Sequence, residues 1–330
     1  MIRYGFWFWV LGYTVILSPL GELEGAVHPS LGGAKGRFIQ LLLLLFLTIG
    51  QSAGASNVVY DRTDSTLVTY LLEEAATMPQ SSNFTLHFAR SLVGVKYENY
   101  ILEQTKKEQL IVDLRHLDCT TFVETVAALS ICAKRRARSF ADYCRILRTL
   151  RYRDGIITDF SSRLHYFTDW IRNNQQHGFV EWIQSPNPPF TEQKICSYRC
   201  MTRLRHKYRQ LVADPTLVPK IARCEENLRG TPFRYIPKSL LKGNRKQLSC
   251  IHDGDILCMV TSAGILDVAH LGFAVWHGEE LHMIDASMIH RKVTEEEKSM
   301  YEYQASQPEQ IGILVVKLKV KSLRTLDFRP

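Results

Sequence analysis

Asp118-Cys119-Thr120-Thr121-Phe122-Val123-Glu124-Thr125-Val126-Ala127-Ala128-Leu129 is the stretch from which the rest of this 330-residue chain is read. Phe122, Val123, Val126, Ala127, Leu129 and Ala133 form an apolar stripe at helical spacing. Lys134-Arg135-Arg136 closes the run, where cations suit the negative end of the helix dipole. A helix therefore begins at Cys119, directly after Asp118. Free amides and the dipole at a helix start stabilise a thiolate, and the same amides can hold an oxyanion. The competing reading of a single cysteine at that place is a buried structural thiol.

Working outward, residues 60–92 carry apolar positions at roughly helical spacing, and Gly94-Val95-Lys96-Tyr97 breaks the pattern. Leu110 to Leu114 reads as a short strand, and a second helix is expected over about 139–151. Residues 152–200 are loop-rich and aromatic, with a clear loop at Ser185 to Phe190; 200–212 and 219–228 read as helical. From Asp253-Gly254-Asp255 onward the texture becomes β: 256–260, 268–276, 281–284 and 313–320, with a turn at His277-Gly278-Glu279-Glu280. Helices first and an antiparallel sheet afterwards define an α+β arrangement.

The N-terminus is of a different kind. Residues 6–20 are apolar, a second apolar run over 38–47 follows Lys35 and Arg37, and Ser52-Ala53-Gly54-Ala55 supplies small residues after it. A basic start, a short apolar core and small residues make a secretory signal peptide, too short for a comfortable membrane span. Signal peptides begin close to their basic residues, so the translation start is expected near Val27 or Leu31; a membrane anchor over 6–20 is the alternative. The product is then exported, periplasmic or in the cell envelope, with no stable membrane insertion once the signal is removed. No cysteine precedes Cys119, which excludes a lipid-modified N-terminal cysteine.

Lysine and arginine exceed the acidic residues by 41 to 33, and removing residues 1–55, with three basic and two acidic residues, leaves +7. That balance permits an anionic polymer as substrate, but no basic block is interleaved with aromatics, so nucleic acid is not an expected partner. The eight cysteines have no disulfide-framework spacing. Cys196-x-x-x-Cys200 with His206 lacks the second half of a ligand set, so no metal or other cofactor is expected. The oligomeric state is open.

A nucleophilic cysteine needs a base. His270 opens the otherwise apolar run Val268 to Trp276, a position that suits a general base, with a satisfied structural histidine as the alternative. A third polar group should orient the imidazole, and the next strand offers His282 and Asp285, which point to opposite faces because they are three apart on a period of two.

Asp118-Cys119-Thr-Thr-Phe-Val-Glu124, followed by a strand opening His270-Leu-Gly-Phe273, resembles the papain-like NlpC-type cell-wall hydrolases. A closer resemblance is to their N-acetylmuramoyl-L-alanine amidase-like branch. It is carried by Leu114 to Glu124, Arg151-Tyr-Arg-Asp-Gly-Ile156, Ser161 to Trp170 and Asp267 to Phe273, and it extends over about residues 60–320. The resemblance implies a papain-like fold in which a helical half carrying the nucleophile helix packs on the C-terminal sheet. Residues 56–110 would be a helical subdomain forming one unit with a catalytic domain over 111–330, after an extension and signal over 1–55. It implies a metal-free cysteine amidase acting on peptidoglycan fragments, the muramyl peptides.

In that reading Cys119 attacks, His270 is the base, and Asp285 or alternatively His282 stands behind it. Asp285 takes the place where the superfamily often has histidine. Tyr97, Asp118 and Thr120 lie near the reacting centre, although the glycine pair that usually follows the tyrosine element is replaced by Glu98-Asn99-Tyr100. Arg163, His165, Tyr166, Asp169 and Tyr152 face the substrate, with Arg163 available for a stem-peptide carboxylate. The rivals are an endopeptidase cutting between D-glutamate and the diamino acid, a non-catalytic peptidoglycan-binding relative, and a membrane acyltransferase on the same scaffold.

Overall fold

A computed structural model describes residues 58–319. The proposed signal peptide lies outside the described residues. Strand β1 (Val58–Tyr60) leads into helix α1 (Arg62–Ala76), which is followed by helix α2 (Phe84–Ser91) and strand β2 (Lys96–Tyr97). Asp61 caps α1 through a reciprocal bond with Asp64, and Val68, Leu71, Leu72 and Ala75 bury one face. Asp64 is itself buried and accepts the Leu114 amide at 3.0 Å, tying α1 to the chain that enters the site. Strands β3 (Leu110–Val112) and β4 (His116–Leu117) then precede helix α3 (Cys119–Lys134), on which helix α4 (Phe140–Arg151) packs.

Helix α3 is buried without interruption from Thr121 to Ala133, on all sides rather than along one stripe. It is enclosed by α1, α2, α4 and the sheet, so its polar residues need partners. Glu124 meets Arg151 at 2.6 Å, the Ser130 hydroxyl donates to the Val126 carbonyl at 2.7 Å, and the Tyr143 hydroxyl donates to Thr125 at 3.4 Å.

The central region holds more regular structure than its composition suggests. Helix α5 (Phe167–Gln176), strands β5 (Val180–Ile183) and β6 (Glu192–Ile195), helices α6 (Cys200–Arg203), α7 (Arg209–Ala213) and α8 (Leu217–Leu228), and strand β7 (Pro232–Pro237) follow in order. The helix expected over 200–212 is broken into α6, a 3-10 turn at Arg205–Lys207, and α7. The block 161–170 is helical only from Phe167; its first part is a 3-10 turn and an extended stretch in which Arg163 bridges Tyr152.

Strands β8 (Ile256–Thr261), β9 (Val268–His277), β10 (Glu280–Ser287), β11 (Lys292–Glu295), helix α9 (Met300–Ala305) and strand β12 (Gln310–Leu318) complete the described chain. The sheet runs β4-β2-β11-β10-β9-β8-β12-β7-β6, with β5 also pairing β12. Most pairs are antiparallel, but β2 and β4 run parallel. Alternate residues serve two cores. Ile256, Cys258, Phe273 and Ile284 join the core of α1 to α5, whereas Leu257, Met259, Ala274 and Met283 pack with Met300 and Tyr303 on the other face. Both faces being covered explains why 256–260 reads as one continuous apolar run. The first core contains residues from α1 and α2 as well as from the sheet.

Candidate active site

Cys119 occupies the first position of α3, with Asp118 as N-cap. The Asp118 carboxylate accepts the Thr121 amide at 2.7 Å, and the Thr121 hydroxyl accepts the Asp118 amide at 2.9 Å. Phe122 begins the intrahelical ladder by donating to the Asp118 carbonyl. Geometry thus leaves the amides of Cys119 and Thr120 without an intrahelical acceptor. Asp118 acts through this cap, and Thr120 is half-buried in the same turn. The Cys119 thiol is partly exposed and, like the other seven cysteines, unpaired.

The parallel pair β2–β4 sets Tyr97 beside Leu117, two residues before the nucleophile position. Burial pushes the Tyr97 phenol pKa up, and the adjacent Cys119 and Asp118 push it further. The hydroxyl is held by Asn99 at 2.9 Å.

His270 is the third residue of β9, and Asp285 lies on the neighbouring β10. The register pairs Phe273 with Ile284, so Asp285 falls next to Gly272 and diagonal to His270 on the same face. A Cβ on Gly272 would lie 2.9 Å from the Ile284 carbonyl oxygen and 3.2 Å from the Asp285 Cβ, so glycine is what permits this close approach. The imidazole Nε2 lies 2.6 Å from Asp285 Oδ2. Asp285 is completely buried and a carboxylate can only accept, so Nε2 carries the proton and Nδ1 is left free of Asp285, with Cys119 close enough to influence the ring. Burial opposes charge on the imidazole, but Tyr303, Asp285 and Cys119 together outweigh it and hold the His270 pKa well above its ordinary value.

His282 goes elsewhere. Its Nδ1 donates to the Glu296 carbonyl at 3.1 Å, and its ring stacks on His277 at 4.3 Å. Among the two candidates for the third position, the structure therefore brings only Asp285 to His270.

The block 161–170 reaches the site indirectly. Arg163 is buried, with Nε and Nη2 on Glu108, Nη1 on Glu103 and Nη2 also on the Leu102 carbonyl. Its guanidinium is engaged inside the fold rather than presented to a substrate carboxylate. Glu103 in turn lies close enough to Asp118 for the two carboxylates to repel. Arg163 thus braces the 101–108 segment.

The other four residues of the group are likewise engaged internally. The Tyr152 hydroxyl meets Glu108 at 2.7 Å, and Tyr166 donates to Glu225 at 2.6 Å. Asp169 pairs with Arg153, and His165 donates through Nε2 to the Phe160 carbonyl at 2.7 Å. Burial, with help from Arg163, pushes the His165 pKa down to about 3.

Sequence reading missed Tyr303, whose ring stacks over His270 at 6.3 Å, and Glu296, a buried carboxyl facing Asp285. Glu296 sits in the acidic run Glu295-Glu296-Glu297, which reads as a solvated face, and nothing in spacing ties Tyr303 to His270.

Fold and site together define an α+β protein with a partly exposed cysteine at a helix start, backed by a His–Asp pair on adjacent strands. The chain belongs to the N-acetylmuramoyl-L-alanine amidase-like family, whose profile matches residues 54–313. An N-acetylmuramoyl-L-alanine amidase from Bacteroides uniformis is 32% identical, with a TM-score of 0.66 over 71% of this chain and 97% of that one. A Bacteroides fragilis protein with a provisional xylanase assignment is also 32% identical, with a TM-score of 0.66 over 71% of this chain and all (100%) of that one. A Legionella pneumophila protein at 20% identity shares the fold, with a TM-score of 0.60 over 79% of this chain and 96% of that one. No curated protein matches the chain. Among the described residues no helix is long and apolar enough to cross a membrane.

Proposed function

We propose that this protein is an exported cysteine amidase that hydrolyses the bond between N-acetylmuramic acid and L-alanine in peptidoglycan fragments, on a papain-like, NlpC-type scaffold. The observation that carries the reading is the chain Cys119–His270–Asp285 at the start of α3, within a family named for that bond. Export is supported by the apolar run and small residues over 38–55.

His270 beside Cys119 takes the thiol proton as general base. The thiolate adds to the lactyl carbonyl carbon, and the resulting oxyanion is met by the free amides at the start of α3. The C–N bond breaks as the imidazolium gives its proton to the departing alanine nitrogen, leaving a muramoyl thioester. Neutral His270 then takes a proton from water, hydroxide adds to the thioester, and the thiolate leaves with the imidazole again protonated. Asp285 keeps the ring oriented and stabilises its charge throughout. Glycosidic cleavage, as the Bacteroides fragilis assignment would suggest, is served by a pair of carboxyl groups flanking a sugar; a cysteine beside an imidazole supports acyl transfer instead.

Mass spectrometry of products from muramyl-tripeptide tests the reading. Release of L-Ala-D-Glu-diamino acid is the expected result. Loss of the diamino acid alone would replace the amidase by an endopeptidase, and no turnover would leave a binding relative.

A further inference from the structure

We propose that the cleft between the Ser197–Arg203 segment and helix α8 is the subsite for the free carboxylates of the stem peptide, an inference that rests on the amidase reading above. The cleft is open to solvent with a volume of about 770 Å³, and Arg199, Arg203 and Arg229 line it. Its two acids are already satisfied. Glu226 pairs with Arg229 at 2.6 Å. Glu225 is buried and accepts from the Met201 and Thr202 amides and from the Tyr166 and Thr202 hydroxyls. Among the described residues Arg199 and Arg203 make no ion pair, unlike Arg151, Arg153 and Arg163, which are spent on internal carboxylates. Four apart along one short helical segment, Arg199 and Arg203 lie on one side of it. Two guanidinium forks beside each other suit a ligand with two carboxylates.

The position fits the reaction. The Ser197 amide bonds the Gly264 carbonyl at 2.8 Å and the Arg199 amide bonds the Ile265 carbonyl at 3.2 Å, so the cleft wall is fastened to the turn that leads into β9. Ile265 lines the cleft and precedes His270 by five residues, a separation of at most about 18 Å in extended chain. Carboxylates on the second and third stem residues trail the scissile amide by roughly 7–14 Å, and this is the length with which the peptide would span from Cys119 toward the cleft. The arginines supply the carboxylate recognition that the buried Arg163 cannot.

The test is calorimetric titration of the protein with the tripeptide L-Ala-D-Glu-diaminopimelate and with the same peptide amidated at its carboxylates. The native protein should prefer the free acid. In the double substitution Arg199→Gln with Arg203→Gln, affinity for the free acid should fall about tenfold or more while affinity for the amide is unchanged. Equal binding of the free acid by native and substituted protein, or an equal loss for both peptides, overturns the proposal. Both positions are exposed, and matching thermal melts establish that the substituted chain is folded. Because the titration requires no cleavage, a protein that binds the acid but never hydrolyses muramyl-tripeptide would keep the subsite and refute the amidase reading.

Discussion

His270 Nε2 lies 2.6 Å from Asp285 Oδ2, and the antiparallel register of β9 and β10 is what joins them. His270, Gly272 and Asp285 share one face of this strand pair, while Phe273 and Ile284 on the other face pack in the core of α3. His282 is on that opposite face by parity, and its contacts with Glu296 and His277 follow from the same register.

Asp285→Asn keeps the shape of the side chain and removes the charge behind the imidazole. Turnover of muramyl-tripeptide should fall roughly 10²–10⁴-fold, in the range known for carboxylates that orient a catalytic histidine. His282→Ala should keep kcat within about threefold, because its ring touches none of the reacting groups. The reverse ranking, read from steady-state kinetics, would assign the third position to His282.

The raised pKa of His270 sets a sign for pH dependence. Below the unfolded-state value of about 6.5 the folded imidazolium contributes its full stability, and that contribution is lost as pH rises through the higher folded-state pKa. The difference in Tm between the native protein and His270→Gln should therefore shrink as pH increases above about 6.5. A difference that is constant with pH contradicts the charged pair. In activity, the alkaline limb should lie above the usual histidine range, and Asp285→Asn should move it to lower pH.

Glu124 and Arg151 form a fully buried pair beneath the nucleophile helix, with Arg151 also donating to the Ile111 carbonyl at 2.6 Å. Removing one charge strands the other. Glu124→Gln should cost about 3–5 kcal/mol in denaturant unfolding. Replacing both residues by methionine should recover much of the loss. A double variant no better than Glu124→Gln would show that the cost lies in packing.

Arg163→Ala should act on the fold before it acts on binding. Loss of the brace to Glu103 and Glu108 should destabilise the protein by about 2–4 kcal/mol. Affinity for carboxylated stem peptide should be retained in the folded fraction. A stable variant with raised KM would return Arg163 to the substrate.

Much of this site is legible in the chain. The capped start at Asp118-Cys119 and the strand opening at His270 are local patterns, and helix α3 and strands β8 to β10 lie where periodicity places them. The choice between Asp285 and His282 is not local: it depends on which residue of β9 faces which residue of β10, a register that either side chain satisfies in sequence alone. Strand β11 and helix α9 carry too few residues for a period to emerge, and prolines at both ends of β7 mask it as a strand. The internal partners of Arg163 are hidden in sequence for a related reason. A polar cluster on one segment looks solvent-facing until Glu103 and Glu108, some sixty residues earlier, fold over it. The free arginines at 199 and 203 sit in a stretch where a broken helix hides their common face.

The central claim is that Cys119 becomes acylated. Mixing the protein with a muramyl-L-alanine substrate, quenching in acid and measuring the mass of the Cys119 peptide tests it directly. The account predicts a thioester adduct of the muramoyl group on that peptide, and a Cys119→Ala protein that forms none and turns over at least about 10³-fold more slowly. Hydrolysis by Cys119→Ala at the native rate would contradict it.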